Sequence, residues 1–148
     1  MLTKFDIFEG GIGIGQFTNN KDNLQWFINQ YEPMFMNDFI GEDKYTQLKQ
    51  DIVSEDTDVK EKAEKLWNLC KYPCAIFIWC NYVNEDQESQ SGSGNIKMDN
   101  VNSYVSDSSG KIVRKWNEMV QITNSASSQL LSDFGIRSGK FKYNNVFI

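Results

Sequence analysis

Histidine is absent from all 148 residues. With it go the usual general base near neutral pH, the commonest nitrogen ligand of zinc, and every Ser-His-Asp or Cys-His arrangement. Cysteine is scarce and odd in number. Cys70, Cys74 and Cys80 lack the C-x-x-C spacing of a zinc or redox site and lie on or beside apolar helical sequence, so they read as reduced, mostly buried thiols. No stretch approaches the roughly 20 apolar residues that span a bilayer, and no basic-then-apolar leader with a small-residue cleavage site opens the chain. The expectation is a protein of the cytoplasm, or one assembled there.

Positive charge is also in short supply, since 15 Lys+Arg face 20 Asp+Glu for a net charge of −5. The deficit is uneven. Residues 1–94 carry 8 basic and 16 acidic side chains, net −8, and residues 95–148 carry 7 and 4, net +3. Proteins that grip nucleic acid do so mainly by neutralising phosphates, so net acidity argues against that role. The basic C-terminal part suits an acidic protein partner, including the acidic half of another copy. What the chain has in quantity is apolar and aromatic side chains, at 40% and 14%, enough for one folded domain with a core.

The stretch "FDIFEGGIGIGQF", residues 5–17, packs four glycines among apolar residues. A dinucleotide loop needs G-x-G-x-x-G between a strand and a helix, and a P-loop needs G-x-x-x-x-G-K-[ST]. Gly11, Gly13 and Gly15 give G-x-G-x-G, with Gln16, Phe17 and Thr18 where a lysine and hydroxyl would serve. The spacing fails both tests, and neither a nucleotide, another cofactor nor a metal is expected. "EDTDVKE", residues 55–61, has no turn glycine for a calcium loop, and its charge suits a helix start. Carboxylate-only catalysis would need acids paired in a cleft, which no spacing supplies. The chain does not read as an enzyme.

Residues 1–19 alternate apolar residues with glycine and polar ones, which predicts an extended arm. A stripe of Leu24, Phe27, Ile28, Tyr31, Phe35 and Phe39 predicts a first helix over about 21–40, with Pro33 expected to kink it. A short second helix follows Gly41, with Tyr45, Leu48 and Ile52 inward. A third is expected over about 58–71 on Val59, Ala63, Leu66, Trp67 and Cys70, ending at Pro73, which is tolerated in a first turn and can open the next helix. "PCAIFIWCNYVNE", apolar nearly all round, predicts a central helix covered on several sides; a buried parallel strand is the alternative, but the continuation through Tyr82 and Val83 is long for one. Residues 86–104 read as a long Ser/Gly-rich polar loop. The last long helix is placed from near Ser106 on Ile112, Val113, Trp116, Met119, Val120, Thr123, Leu130, Leu131 and Phe134, with "TNSASS" a possible interruption. After it, residues 136–148 alternate as a strand or docking tail would. The sum is a mainly α fold: about five helices over 20–135, flanked by two extended arms.

Four stretches carry a resemblance: "INQYEPMFMNDFIGEDKYTQL" (28–48), "KLWNLCKYPCAIFIWCNYV" (65–83), "QSGSGNIKMDNVNSYVS" (90–106) and "KIVRKWNEMV" (111–120). Their order and separation resemble the small head–tail connector proteins of tailed bacteriophages, notably crAss-like and other phages of Bacteroides-type bacteria. The likeness covers about residues 20–123. Tyr31-Glu32-Pro33 leading to Phe39-Ile40-Gly41 and Tyr45 resembles that family's helix–kink–helix, and Trp116-Asn117-Glu118-Met119 its late-helix signature. The resemblance implies a structural virion protein at the head–tail junction. Such a subunit forms a ring, commonly of about 12 copies, that docks under the portal protein, meets other tail or ring proteins, and prolongs a channel through which DNA passes without sequence-specific binding. A small helical adaptor outside any virion is the other reading.

Contacts beyond the subunit are expected from the two ends: Ile12, Ile14 and Phe17 in the first arm, and Arg137, Lys140, Phe141, Tyr143, Phe147 and Ile148 in the tail. Trp26, off the first helix's main stripe, joins them as an interface aromatic. Trp67, Trp79 and Trp116 read as core.

Overall fold

The computed structural model describes residues 1–8, 21–92 and 98–144, with side chains described for 1–8, 23–84 and 110–144. Four helices carry the fold: α1 (Lys21–Phe39), α2 (Glu42–Asp51), α3 (Thr57–Gly92) and α4 (Met98–Phe134). α3 is the hub, packing against each of the other three. Its segment 73–80 is buried at every position, which is why a helix apolar on all sides is stable here.

The first two helices form where the periodicity places them. Leu24, Phe27, Ile28, Phe35, Met36 and Phe39 are buried along α1. Pro33 lies inside α1 without ending it. Gly41, at φ 92, makes the turn into α2, a backbone region that side chains with a Cβ disfavour. α3 opens on a cap: the Asp56 carboxylate accepts the backbone N–H groups of Asp58 (3.0 Å) and Val59 (3.4 Å), filling donors that the first helical turn leaves open. The charge of residues 55–61 thus serves a helix start.

Three expectations are corrected. Pro73 neither ends nor begins a helix but sits inside α3, so two expected helices are one and the described residues form four. A mid-helix proline costs about 3 kcal/mol, and burial of Cys70, Pro73, Cys74, Ile76 and Phe77 around it outweighs that. The 86–104 loop is also largely helical, since α3 runs to Gly92 and α4 starts at Met98. Polar composition disfavours packing, but it does not prevent the extension of helices already nucleated in a core. "TNSASS" leaves α4 unbroken, because Thr123 and Ala126 face inward and the hydroxyls of Thr123 and Ser127 donate to carbonyls three residues back.

α4 stops at Gly135, at φ 65, whose N–H donates to the Leu131 carbonyl while Ile136 donates to that of Leu130. This is a glycine-terminated end with an apolar residue, the buried Ile136, tucked under it. Residues 135–144 then run as irregular chain, and no strand occurs among the described residues.

Candidate interaction surfaces

Both ends fold back onto the bundle as far as they are described. Residues 1–8 form a strap that turns at Phe5 to Phe8, where Phe8 N–H donates to the Phe5 carbonyl at 3.1 Å, and Phe8 is fully buried. An extended arm projecting from the subunit is therefore not what these eight residues make.

The strap is held by Glu32, which projects from the inner face of α1 and is fully buried. Its Oε1 accepts the backbone N–H and the hydroxyl of Thr3, each at 2.6 Å, and its Oε2 accepts the backbone N–H of Leu2 at 3.1 Å and the hydroxyl of Tyr45 from α2. Four uncharged donors thus converge on one carboxylate, the arrangement that makes a buried charge tolerable. Thr3 also lies 3.7 Å from Cys74 Sγ of α3. Because the single hydroxyl proton of Thr3 goes to Glu32, the thiol is the donor in that contact. Burial pushes the Cys74 thiol well above its ordinary value, and the Glu32 charge adds to the shift. Tyr45 is raised as well, by burial first, then by its hydrogen bond to Glu32 and by the Glu32 charge. Both groups stay protonated and serve as donors around the carboxylate.

The tail is clasped as firmly. Gly139 N–H donates to the Phe39 carbonyl at 2.9 Å, and a Cβ on Gly139 would lie 1.9 Å from the Asp38 carbonyl oxygen. Phe141 stacks on Phe35 with ring centres 5.2 Å apart and meets Phe39, Phe77 and Trp116 at 6.3 to 6.5 Å. Trp116 Nε1–H donates to the Lys142 carbonyl at 2.7 Å. Asn117 exchanges two hydrogen bonds with the Asn144 backbone. Phe141, expected to meet another chain, closes an aromatic cluster of its own subunit. The reason is the glycine two residues earlier, which lets the tail approach α1 closely enough for the ring to enter.

Arg137, Lys140, Lys142 and Tyr143 lie exposed on this fixed tail, and Trp26 is 50% exposed at the start of α1. Ile12, Ile14, Phe17, Phe147 and Ile148 lie outside the described residues. Concavities also mark the surface, one of them, of about 400 Å³, between Leu69 and Tyr72 of α3 and Ile122 and Gln129 of α4. A second, of about 400 Å³, opens between the strap and Trp67, Lys71 and Tyr72 of α3. A third, of about 260 Å³, runs between α2, the start of α3 and Phe134–Ile136, floored by Leu48, Ala63 and Leu66 and edged by Lys44 and Lys62. None of these gathers paired acids. No cluster of three or more potential metal ligands occurs among the described residues, and no helix is long and apolar enough to cross a membrane.

Glu32 is the residue whose role sequence reasoning missed. Its signal was present: position 32 falls four residues after Ile28 and three before Phe35, on the buried stripe of α1, where an acid requires partners. Compared with family models, curated proteins and solved structures, the chain matches none of them.

Proposed function

We propose that this chain is a head–tail connector subunit of a tailed bacteriophage, forming a ring beneath the portal and joining a DNA-filled capsid to its tail. The observation that carries the reading is the ordered recurrence of four connector-like stretches. In this fold they make up one frame: 28–48 supplies the end of α1 and all but the close of α2, 65–83 the buried middle of α3, 90–106 the α3–α4 junction, and 111–120 the middle of α4.

A helical frame with both ends fastened to it also suits a load-bearing subunit. Copies would join about an axis through a heterologous interface that closes. Trp26, Arg137, Lys140 and Tyr143 are exposed and available to such an interface. Acidic side chains facing the lumen would repel DNA and let it slide. The work is geometric, with no bond made or broken.

The test is to co-express the chain with the portal protein of the phage that encodes it and to image the product by negative-stain microscopy. A second ring stacked coaxially on the portal is the expected result. A chain that stays monomeric and leaves the portal bare would overturn the reading and favour a small helical adaptor.

A further inference from the structure

Tyr72 of α3 is 39% exposed and belongs to the walls of two hollows, each of about 400 Å³. The first lies between α3 and the strap, and its walls are mostly apolar and aromatic: Leu2, Ile7, Trp67 and Tyr72 itself. The charged groups there are Lys4, Lys71 and Asp6, net +1. The Lys71 ammonium is held over the Tyr72 ring, 5.1 Å from its centre, and neither lysine forms an ion pair among the described residues. The Trp67 indole N–H and the Tyr72 hydroxyl have no acceptor among them either, although such groups usually find one when partly buried. Four donor-bearing side chains therefore line this hollow with a single carboxylate. The second hollow lies between α3 and α4, with Leu69, Pro73, Ile122 and Ala126 in its walls and side-chain amides beside them. No charged residue lines it, in a chain of which 24% is charged. Loss of charge beside an exposed aromatic ring is the compositional mark of the centre of a protein interface.

We infer that the surface centred on Tyr72 is an interaction site for a segment of a partner protein that carries a carboxylate on one side of the ring and an aliphatic side chain on the other. The carboxylate accepts from Lys4 and Lys71 in the first hollow, which supplies the charge those lysines lack. The aliphatic side chain fills the second hollow against Ile122 and Ala126, where no charge has to be desolvated. Tyr72 lies between them as a rigid ring that loses little conformational entropy on contact. A basic segment would meet two lysines at the first hollow. A nucleic acid would find cations at one hollow only, and phosphates gain nothing at the other. The site uses none of the tail residues and does not rest on the connector reading.

The probe is a synthetic peptide, acetyl-Glu-Glu-Gly-Leu-Leu-amide, titrated into the isotopically labelled full chain and followed by NMR, with acetyl-Lys-Lys-Gly-Leu-Leu-amide as its counterpart. The acidic peptide should shift the Trp67 indole N–H and the Ile122 and Ser125 amides together, and the lysine peptide should leave all three in place. Lys71→Ala should weaken the acidic peptide about threefold, as loss of one partly exposed ion pair does, and Lys71→Arg should restore it. Asp6→Asn, which removes the one repelling carboxylate, should strengthen binding by a similar factor. Equal shifts from both peptides, or shifts at one hollow alone, would overturn the two-sided site. Silence from both peptides would overturn it outright. If the same resonances move as the chain alone is concentrated from the micromolar to the millimolar range, the surface belongs to a second copy and the assignment to a partner protein is wrong. The connector reading is tested separately by co-expression with the portal, so the two can fail independently.

Discussion

At the scale of single residues, Glu32 organises the N-terminal half of the core. A carboxylate offers acceptors only, and every group around it is a donor. Glu32→Gln keeps the shape but turns an NH₂ toward either Leu2 or Thr3, so at least one backbone N–H loses its partner. A loss of about 2 kcal/mol in urea unfolding is expected, and an unchanged midpoint would count against this account. The three thiols give a pH signature. Burial pushes Cys70 up to about 12, and Cys80 to about 12 despite the opposing charge of Lys115. A folded value above the unfolded one means the stabilisation is whole below an ordinary thiol value of about 8.5. It is lost as pH rises toward the folded value, by about 1.4 kcal/mol per pH unit for each thiol. Between pH 8 and pH 10 the native chain should therefore lose about 3 kcal/mol more than a Cys70→Ala, Cys80→Ala variant in matched urea titrations. Buried thiols were legible in the sequence from their apolar neighbours. The partners of Glu32 were not, because they lie about 30 and 13 residues away and no local pattern joins them.

At the scale of elements, the helices were read well where an apolar stripe decides, although Val59 and Leu131, expected on the inner stripes, are exposed, and badly where composition was asked to decide. Leu24 to Phe39 repeat at helical spacing, α1 begins and ends within a residue of expectation, and α2 is the short helix expected after Gly41. Pro73 and the Ser/Gly run after Gln90 were judged on local preference alone. The core around residues 70–80 overrides the first, and helix extension overrides the second. The tail is a mixed case. Its alternation is real, with Lys140 and Lys142 outward and Phe141 inward, but the surface it meets is its own bundle and not a neighbour's edge. Two substitutions test that placement. Phe141→Ala removes a ring that touches four others and should cost about 2–3 kcal/mol, toward the low end for an aromatic truncation because the ring is partly exposed. Gly139→Ala puts a methyl group against the Asp38 carbonyl, and because that atom belongs to helical backbone the tail must be the part that moves. The indole N–H of Trp116, bonded to Lys142 in the native chain, should shift in an NMR spectrum of either variant while helical circular dichroism persists. A Gly139→Ala spectrum that matches the native one would mean the tail docks otherwise.

At the scale of the whole molecule, the proposed connector would draw on different faces of the same short tail for folding and for assembly. Phe141 and Gly139 belong to the fold, whereas Arg137, Lys140 and Lys142 are exposed beside them and carry positive charge in a chain whose first 94 residues are net −8. Exposed charges contribute little to a monomer's stability, typically within about 0.5 kcal/mol. Across an interface they set the rate and register of docking, and they do so in a salt-dependent way. Reversing all three, as Arg137→Glu with Lys140→Glu and Lys142→Glu, should therefore leave the unfolding midpoint nearly unchanged and strongly reduce incorporation beneath the portal. Raising salt from 50 to 500 mM should weaken native incorporation in the same direction, since the Debye length falls from about 14 to about 4 Å over that range. If the chain is the proposed connector, light scattering of the free chain should show a monomer in all these conditions, because a ring that closed on its own would bypass the order of assembly that a portal platform would impose. A triple variant that enters particles at the native level would remove the basic edge of the tail from the interface and leave Trp26 and Tyr143 as its remaining exposed anchors. A triple variant that unfolds would show that the edge belongs to the fold after all.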